Sequence, residues 1–225
     1  MYDGLRRQTA SYVGYYEPLS NMPESVRELY VYNPTKAKAL LAEAGYPNGF
    51  EVTINGGVNT IAKRTLEFLQ QQLAVVGIKV TVEPLEAGVL TSRLYANPGP
   101  DTTTVQMLLT GWSSSTGDAD WGIRPFLWGK GWPPVLNNFA YYKNPAVDEA
   151  IEAGLSTVDT QKRAAAYAKA QEVAWKDAPL IDLGNEGSGL ELPKTLAKAL
   201  ATVKDVDTII PGHTPPSKPA ELQEY

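Results

Sequence analysis

Apolar positions along the chain switch between two periods, and the switches mark out most of its elements. From Thr60 the residues Ala62, Leu66, Leu69, Leu73 and Val76 step by four and three, placing them on one face of a helix that ends at Gly77. In "IKVTVEP" directly after it, Ile78, Val80 and Val82 alternate with Lys79, Thr81 and Glu83, the rhythm of a strand covered on one side. An earlier strand, "FEVTI", precedes the helix. Strand, helix and strand make a βαβ unit, so parallel pairing with helices packed on the sheet is expected.

Two Asn-Pro pairs open further helices. In "YNPTKAKALLAEAGYPNGF", Asn33 is an N-cap, Pro34 suits the first helical position, and Gly45 can take the left-handed position past the end. The apolar stripe is Ala37, Leu40, Leu41 and Ala44. Asn144 and Pro145 repeat this grammar, with Val147, Ile151 and Leu155 turned inward, and Asp159 caps a third helix carrying Ala164, Tyr167, Ala168, Ala174 and Trp175. "EAGVLTSRLYA" reads as a short helix, "TTVQMLLTGW" as a buried strand and "APLIDL" as a returning strand. "SSSTGDADWG" reads as a polar loop of turn-forming residues. The first thirty residues have no clear period. After Leu183 the texture changes: "GNEGSGLELP" is glycine-rich, and Leu192, Leu196, Ala199, Leu200 and Val203 form another amphipathic stripe before "VDTII". A junction is therefore placed near residues 184–190, dividing an α/β domain, 1–183, from an atypical helix-strand tail, 184–225.

Composition narrows the function. The net charge of -5, with no dense Lys/Arg run, argues against a nucleic-acid partner, whose binding draws on neutralised phosphates. With zero cysteines there are no disulfides, thiolate nucleophiles or Cys-based zinc sites. The N-terminal stretch "MYDGLRRQTASYVGYY" has no signal-peptide core, and no apolar run has membrane-spanning length. As written the chain would stay where it is made, unless it is a piece of an exported protein whose leader lies elsewhere.

"YNPTKAKALLAEAGYPNGF", "QQQLAVVGIKVTVEP", "TGWSSSTGDADW", "NPAVDEAIEAG" and "AQEVAWKDAPLI" occur in this order between residues 30 and 181. Together they resemble the C-terminal lobe of the solute-binding proteins that serve peptide and nickel importers of the ABC type, nearest the branch that includes glutathione-binding proteins. The resemblance implies a type II periplasmic-binding-protein-like lobe, a sheet with helices on its faces. It implies a periplasmic location, a peptide-like small ligand and delivery to an ABC permease of the inner membrane, with no catalysis and no cofactor. A monomer is expected.

The resemblance also implies a ligand site in the loop after the Gly-Trp pair. Asp118 is its first candidate for a ligand's ammonium group and Asp120 its second, with Arg124 for a carboxylate and Trp112 and Trp121 as apolar walls. The competing assignments are a solvated turn for the two aspartates and core packing for at least half of Trp112, Trp121, Trp128 and Trp132. A paired-carboxylate glycosidase is a third, and two acids so close in one loop favour it little. Lys162 and Arg163 are expected in solvent.

The tail differs. "DLGNEGSGLELPKTLAKALATVKDVDTIIPGHTPP", residues 182–216, resembles the last part of a metallo-β-lactamase-fold hydrolase, where a Gly-His pair ends a strand. His213 is the single histidine and thus the one candidate metal residue of its kind. A tetrahedral zinc site needs three or four N, S or O ligands, and with no cysteine and no second histidine only carboxylates remain. No metal is expected, and the alternatives to a binding protein are a hydrolase remnant or a fused or truncated chain without a ligand.

Overall fold

The computed structural model describes residues 12, 19–96, 99–112 and 118–183. Its elements follow in chain order: α1 (Glu24–Arg27), α2 (Pro34–Glu43), β1 (Glu51–Gly57), α3 (Thr60–Ala74), β2 (Lys79–Leu85), α4 (Ala87–Ala96), β3 (Met107–Leu108), α5 (Ala119–Leu127), α6 (Pro145–Leu155) and α7 (Thr160–Asp177). Short 3-10 turns, Leu19–Asn21 and Glu28–Tyr30, flank α1.

The expected βαβ unit is present. β1 and β2 run parallel in the register Glu51 to Lys79 and Ile54 to Val82, and β3 joins the far side of β1, giving the order β2-β1-β3. Ile54, Leu66 and Val80 are buried between the sheet and α3, and Leu69, Leu73 and Val82 pack against them. Alternation on β2 and the four-three step on α3 thus meet in one core. The two strands start from a close approach: Gly49 and Gly77 both have positive φ, and a Cβ on Gly49 would fall 1.9 Å from the carbonyl oxygen of Gly77.

A second core is wholly helical. Ile123 and Leu127 of α5, Val147, Ala150 and Ile151 of α6, and Tyr167, Ala170 and Ala174 of α7 are buried together. Trp175 closes a third cluster with Met22 and Val26, and Tyr12 lies against it with its ring 6.3 Å away. Tyr12 also donates its backbone N–H to Gln171 and its hydroxyl to the Leu180 carbonyl, both at 2.9 Å. The sheet side and the helical side meet where the Tyr95 hydroxyl donates to Asn137 and the Tyr95 ring stands edge-on to Phe139.

All three predicted caps form. Asn33 accepts from the Lys36 N–H, Asn144 from Ala146, and Asp159 from Gln161 and Lys162. Gly45 takes φ +89°, as the end of α2 requires.

Several expectations are corrected. "TTVQMLLTGW" is not a buried strand: only Met107–Leu108 pairs, half-buried at the sheet edge. Just before it, the side chain of Gln106 takes the Thr53 N–H at 2.7 Å, a bond the ladder would otherwise make through backbone. "APLIDL" is not a strand. Ala178 turns into the left-handed region at φ 50°, and Ile181 is exposed. Leu155 is exposed at the end of α6, and α7 buries Tyr167, Ala170, Gln171, Ala174 and Trp175 while Ala164 and Ala168 face outward. The stripe of α2 covers little: Ala37 and Leu41 are half-buried, Leu40 and Ala44 are exposed, and no residue of that helix is fully buried. The latter half of the expected loop "SSSTGDADWG" is the first turn of α5. The tail, 184–225, with its expected helix, strand and His213, lies outside the described residues.

Candidate functional site

The five predicted site residues gather along α5, where Asp118, Asp120 and Arg124 also hold internal partners. Asp118 is the N-cap. Its Oδ1 accepts the Asp120 N–H at 2.8 Å, satisfying a donor that a first helical turn leaves open. The same oxygen accepts from Arg163 of α7 at 2.5 Å. Arg163 is therefore not a solvated residue; its other branch donates to the Gly154 carbonyl at 3.0 Å, and its guanidinium lies 5.3 Å from the Tyr167 ring centre.

Asp120 and Arg124 stand one turn apart on α5 and face each other, as residues four apart on a helix do. Arg124 Nε lies 2.9 Å from both carboxylate oxygens and Nη2 donates to Oδ2 at 2.8 Å, while the Tyr167 hydroxyl donates to Oδ1 at 3.0 Å. The Asp120 side chain is 13% exposed and that of Arg124 22%. The hydrogen bonds to Asp120 raise the Arg124 pKa further above its already high value. Burial, and then the Asp120 charge, push the Tyr167 hydroxyl well above the usual tyrosine range, so it stays a donor. Asp118 differs in reach: its side chain is 47% exposed.

Trp112 lies beside this cluster, 42% exposed. Its indole N–H donates to the Trp121 carbonyl at 2.9 Å, its ring is 5.7 Å from that of Trp121, and Phe126 stands edge-on to it at 5.1 Å. Trp112, Trp121 and Phe126 form an aromatic ridge on one flank of α5. The other two tryptophans of the segment are half-buried and tied down elsewhere, Trp128 to Glu152 and Trp132 to the Tyr142 carbonyl. Core packing claims neither fully, because each keeps its indole N–H on a polar partner at the surface of the fold.

The arrangement suits binding. Two carboxylates face two guanidiniums, and an exposed aromatic face packs on the same helix. Both aspartates hold internal partners at the start of one helix, whereas a glycosidase sets its two acids on either side of the bond it cuts. Among the described residues no group of three or more His, Cys, Asp or Glu side chains could hold a metal ion. Arg163, Tyr167 and Phe126 were missed from sequence. The spacing of Arg163 and Tyr167, one helical turn, was the available signal, but nothing local placed that face against α5.

The fold is that of the type II periplasmic binding proteins, an α/β unit with a parallel sheet and helices. The chain belongs to the bacterial extracellular solute-binding proteins of family 5, whose middle-region model matches residues 1–134. It is 44% identical over 156 residues to the glutathione-binding protein GsiB of Pectobacterium atrosepticum, covering 69% of this chain and 30% of that one. Among solved structures, the periplasmic binding protein DppA of Helicobacter pylori, in complex with the peptide STSA, superposes with a TM-score of 0.67 at 30% identity, over 81% of this chain and 34% of that one. A dipeptide-binding protein of Pseudoalteromonas in complex with Met-Leu gives a TM-score of 0.63 at 27% identity, over 79% of this chain and 34% of that one. The chain spans about a third of the length of the curated relatives it matches. The family is one of transport binding proteins and not of enzymes, and its members are extracellular or periplasmic. None of these comparisons supports the hydrolase resemblance of residues 182–216.

Proposed function

We propose that this chain supplies part of the ligand-binding surface of the substrate-binding component of an ABC importer, taking short peptides or a glutathione-like ligand. The observation that carries the reading is an exposed Trp112 face packed on the helix whose N-cap is the half-exposed Asp118, in a chain whose relatives are named for glutathione and for dipeptides. Trp112 and Trp121 offer the apolar wall. Asp118, whose Oδ1 already takes the Asp120 N–H and Arg163, would share its carboxylate with the ligand's ammonium, where a charge-assisted hydrogen bond is among the stronger recognition devices at neutral pH. Asp120 and Arg124 contribute through each other, as an internal pair that stiffens the ridge; a ligand carboxylate would have to share Arg124 with Asp120.

The working location under this reading is the periplasm, the partner a permease of the inner membrane, and the binding form a monomer without cofactor or nucleic acid. Residues 1–183 form the binding domain and 184–225 a separate tail. Calorimetric titration with glutathione and with Met-Leu tests the proposal. Binding of either, weakened in Trp112→Ala and in Asp118→Ala, is the expected result. Absence of heat with both peptides in a form completed with the remaining lobe of a family member, or affinity untouched by the two substitutions in that form, overturns it.

A further inference from the structure

Helix α7 reaches the ridge through two side chains that touch no part of the aromatic face. Arg163 and Tyr167 are one turn apart, and each holds one of the two aspartates that begin α5. Tyr167 can lie where it does because α6 carries glycine opposite it: a Cβ on Gly154 would stand 2.7 Å from the Tyr167 Cζ. The Gly154 carbonyl in turn fixes Arg163. A polar clasp therefore runs from α6 through α7 to the first turn of α5.

In that first turn Ala119 packs on the helical core and Gly122 is buried, so Arg163 and Tyr167 hold its polar side. The C-terminal half of α5 is anchored by Ile123 and Leu127, both fully buried, whereas its opening turn is capped by a half-exposed aspartate. A helix start without firm partners frays, because its leading N–H groups have no intrahelical acceptors. Trp112 depends on α5 in turn: its hydrogen bond goes to the Trp121 carbonyl, and its two ring neighbours are Trp121 and Phe126. Wherever α5 opens, the Trp112 face goes with it.

We propose that Arg163 and Tyr167 are positioning residues that fix the orientation of the Trp112 face through Asp118 and Asp120. Only the consequence for a ligand rests on the peptide-binding reading; the positioning itself can be read without one. Side-chain constellations at binding sites lose function when their supporting contacts loosen by as little as about 1 Å.

Two tryptophans in contact give an exciton couplet in circular dichroism, and Trp112→Phe assigns it to the Trp112–Trp121 pair by removing it. Tyr167→Phe deletes one hydroxyl and keeps the ring. Arg163→Gln deletes the charge, and Arg163→Lys restores charge without the fork. The expected result is a diminished couplet in Tyr167→Phe and Arg163→Gln, partly regained in Arg163→Lys, with the far-ultraviolet helix signal unchanged. The glutathione dissociation constant, where the parent chain shows one, rises with the loss of the couplet. A couplet unaltered in Tyr167→Phe and Arg163→Gln overturns the proposal. So does a couplet that falls only together with the helix signal, or one that survives Trp112→Phe. If the parent chain takes no glutathione, that counts against the peptide-binding reading alone, and the spectra still decide the role of Arg163 and Tyr167.

Discussion

Helices α2 and α6 are written in the same words and lead different lives. Both open with Asn-Pro, both asparagines accept a backbone N–H at 2.9 Å in the first turn, and both carry an apolar stripe. Yet α6 buries Val147, Ala150, Ile151 and Gly154, whereas α2 fully buries no residue and leaves Leu40 52% exposed. The cap decides where a helix starts, and the partner decides what it is worth. For α6 the partner is α7, with the Tyr167 ring packed against Gly154. For α2 the described residues supply none, and Leu29, Val31 and Tyr32 just before it are exposed as well.

Truncation should separate the two helices most sharply. Ile151→Ala is expected to cost about 2–5 kcal/mol in denaturant unfolding, because a fully buried branched side chain leaves a cavity, whereas Leu40→Ala should stay within about 0.5 kcal/mol. Comparable losses at both sites would mean that α2 has a hidden partner. Gly154→Ala comes next. The added methyl must displace the Tyr167 ring, at a cost of about 1–3 kcal/mol for overpacking, seen as a lowered Tm.

Alkaline pH should act on the α6–α7 side and spare α2. Burial comes first among the causes that lift the hydroxyls of Tyr12, Tyr142 and Tyr167 well above the ordinary tyrosine value of 10.0, and neighbouring Asp177 and Asp120 add to it for the latter two. A folded pKa above the unfolded one means that their contribution is complete below pH 10 and declines as pH rises past it, since the unfolded chain then releases protons that the folded one retains. Thermal unfolding followed upward from neutral pH should show that decline; a flat Tm through pH 11 would refute it.

Cap removal gives smaller effects. Asn144→Ala should cost about 0.5–2 kcal/mol and appear in global stability, because Asn144 also donates to Asp177 at 2.7 Å and so ties the start of α6 to the end of α7. Asn33→Ala should speed amide exchange within α2 and leave the global transition in place. The smallest effect belongs to the exposed Lys79–Glu51 pair, where Lys79→Gln is expected to leave Tm unchanged within error.

The sequence yielded what is encoded locally. Asn33, Asn144 and Asp159 announced three helix starts, and the alternation from Ile78 to Val82 announced β2, because a cap or a pleat needs only its own neighbours. The inward face of α7 was misread. Alanines lie all round that helix, so Ala164 and Ala168 look as apolar as Ala170 and Ala174, and only contact with α6 tells them apart. The ridge was half legible. The spacing from Asp120 to Arg124 already specified an intrahelical pair, and that pair forms. The bond from Arg163 to Asp118 spans 45 residues and leaves no local trace.

One consequence of the clasp concerns the speed of capture. Asp118, Asp120, Arg124 and Arg163 carry two charges of each sign within hydrogen-bonding distance of one another. Seen from beyond a Debye length, about 8 Å at physiological salt, such a group exerts almost no field. A ligand would meet the ridge by plain diffusion, without electrostatic steering, and its association rate should barely respond to ionic strength. Selectivity at such a place would be settled after contact, in the dissociation rate.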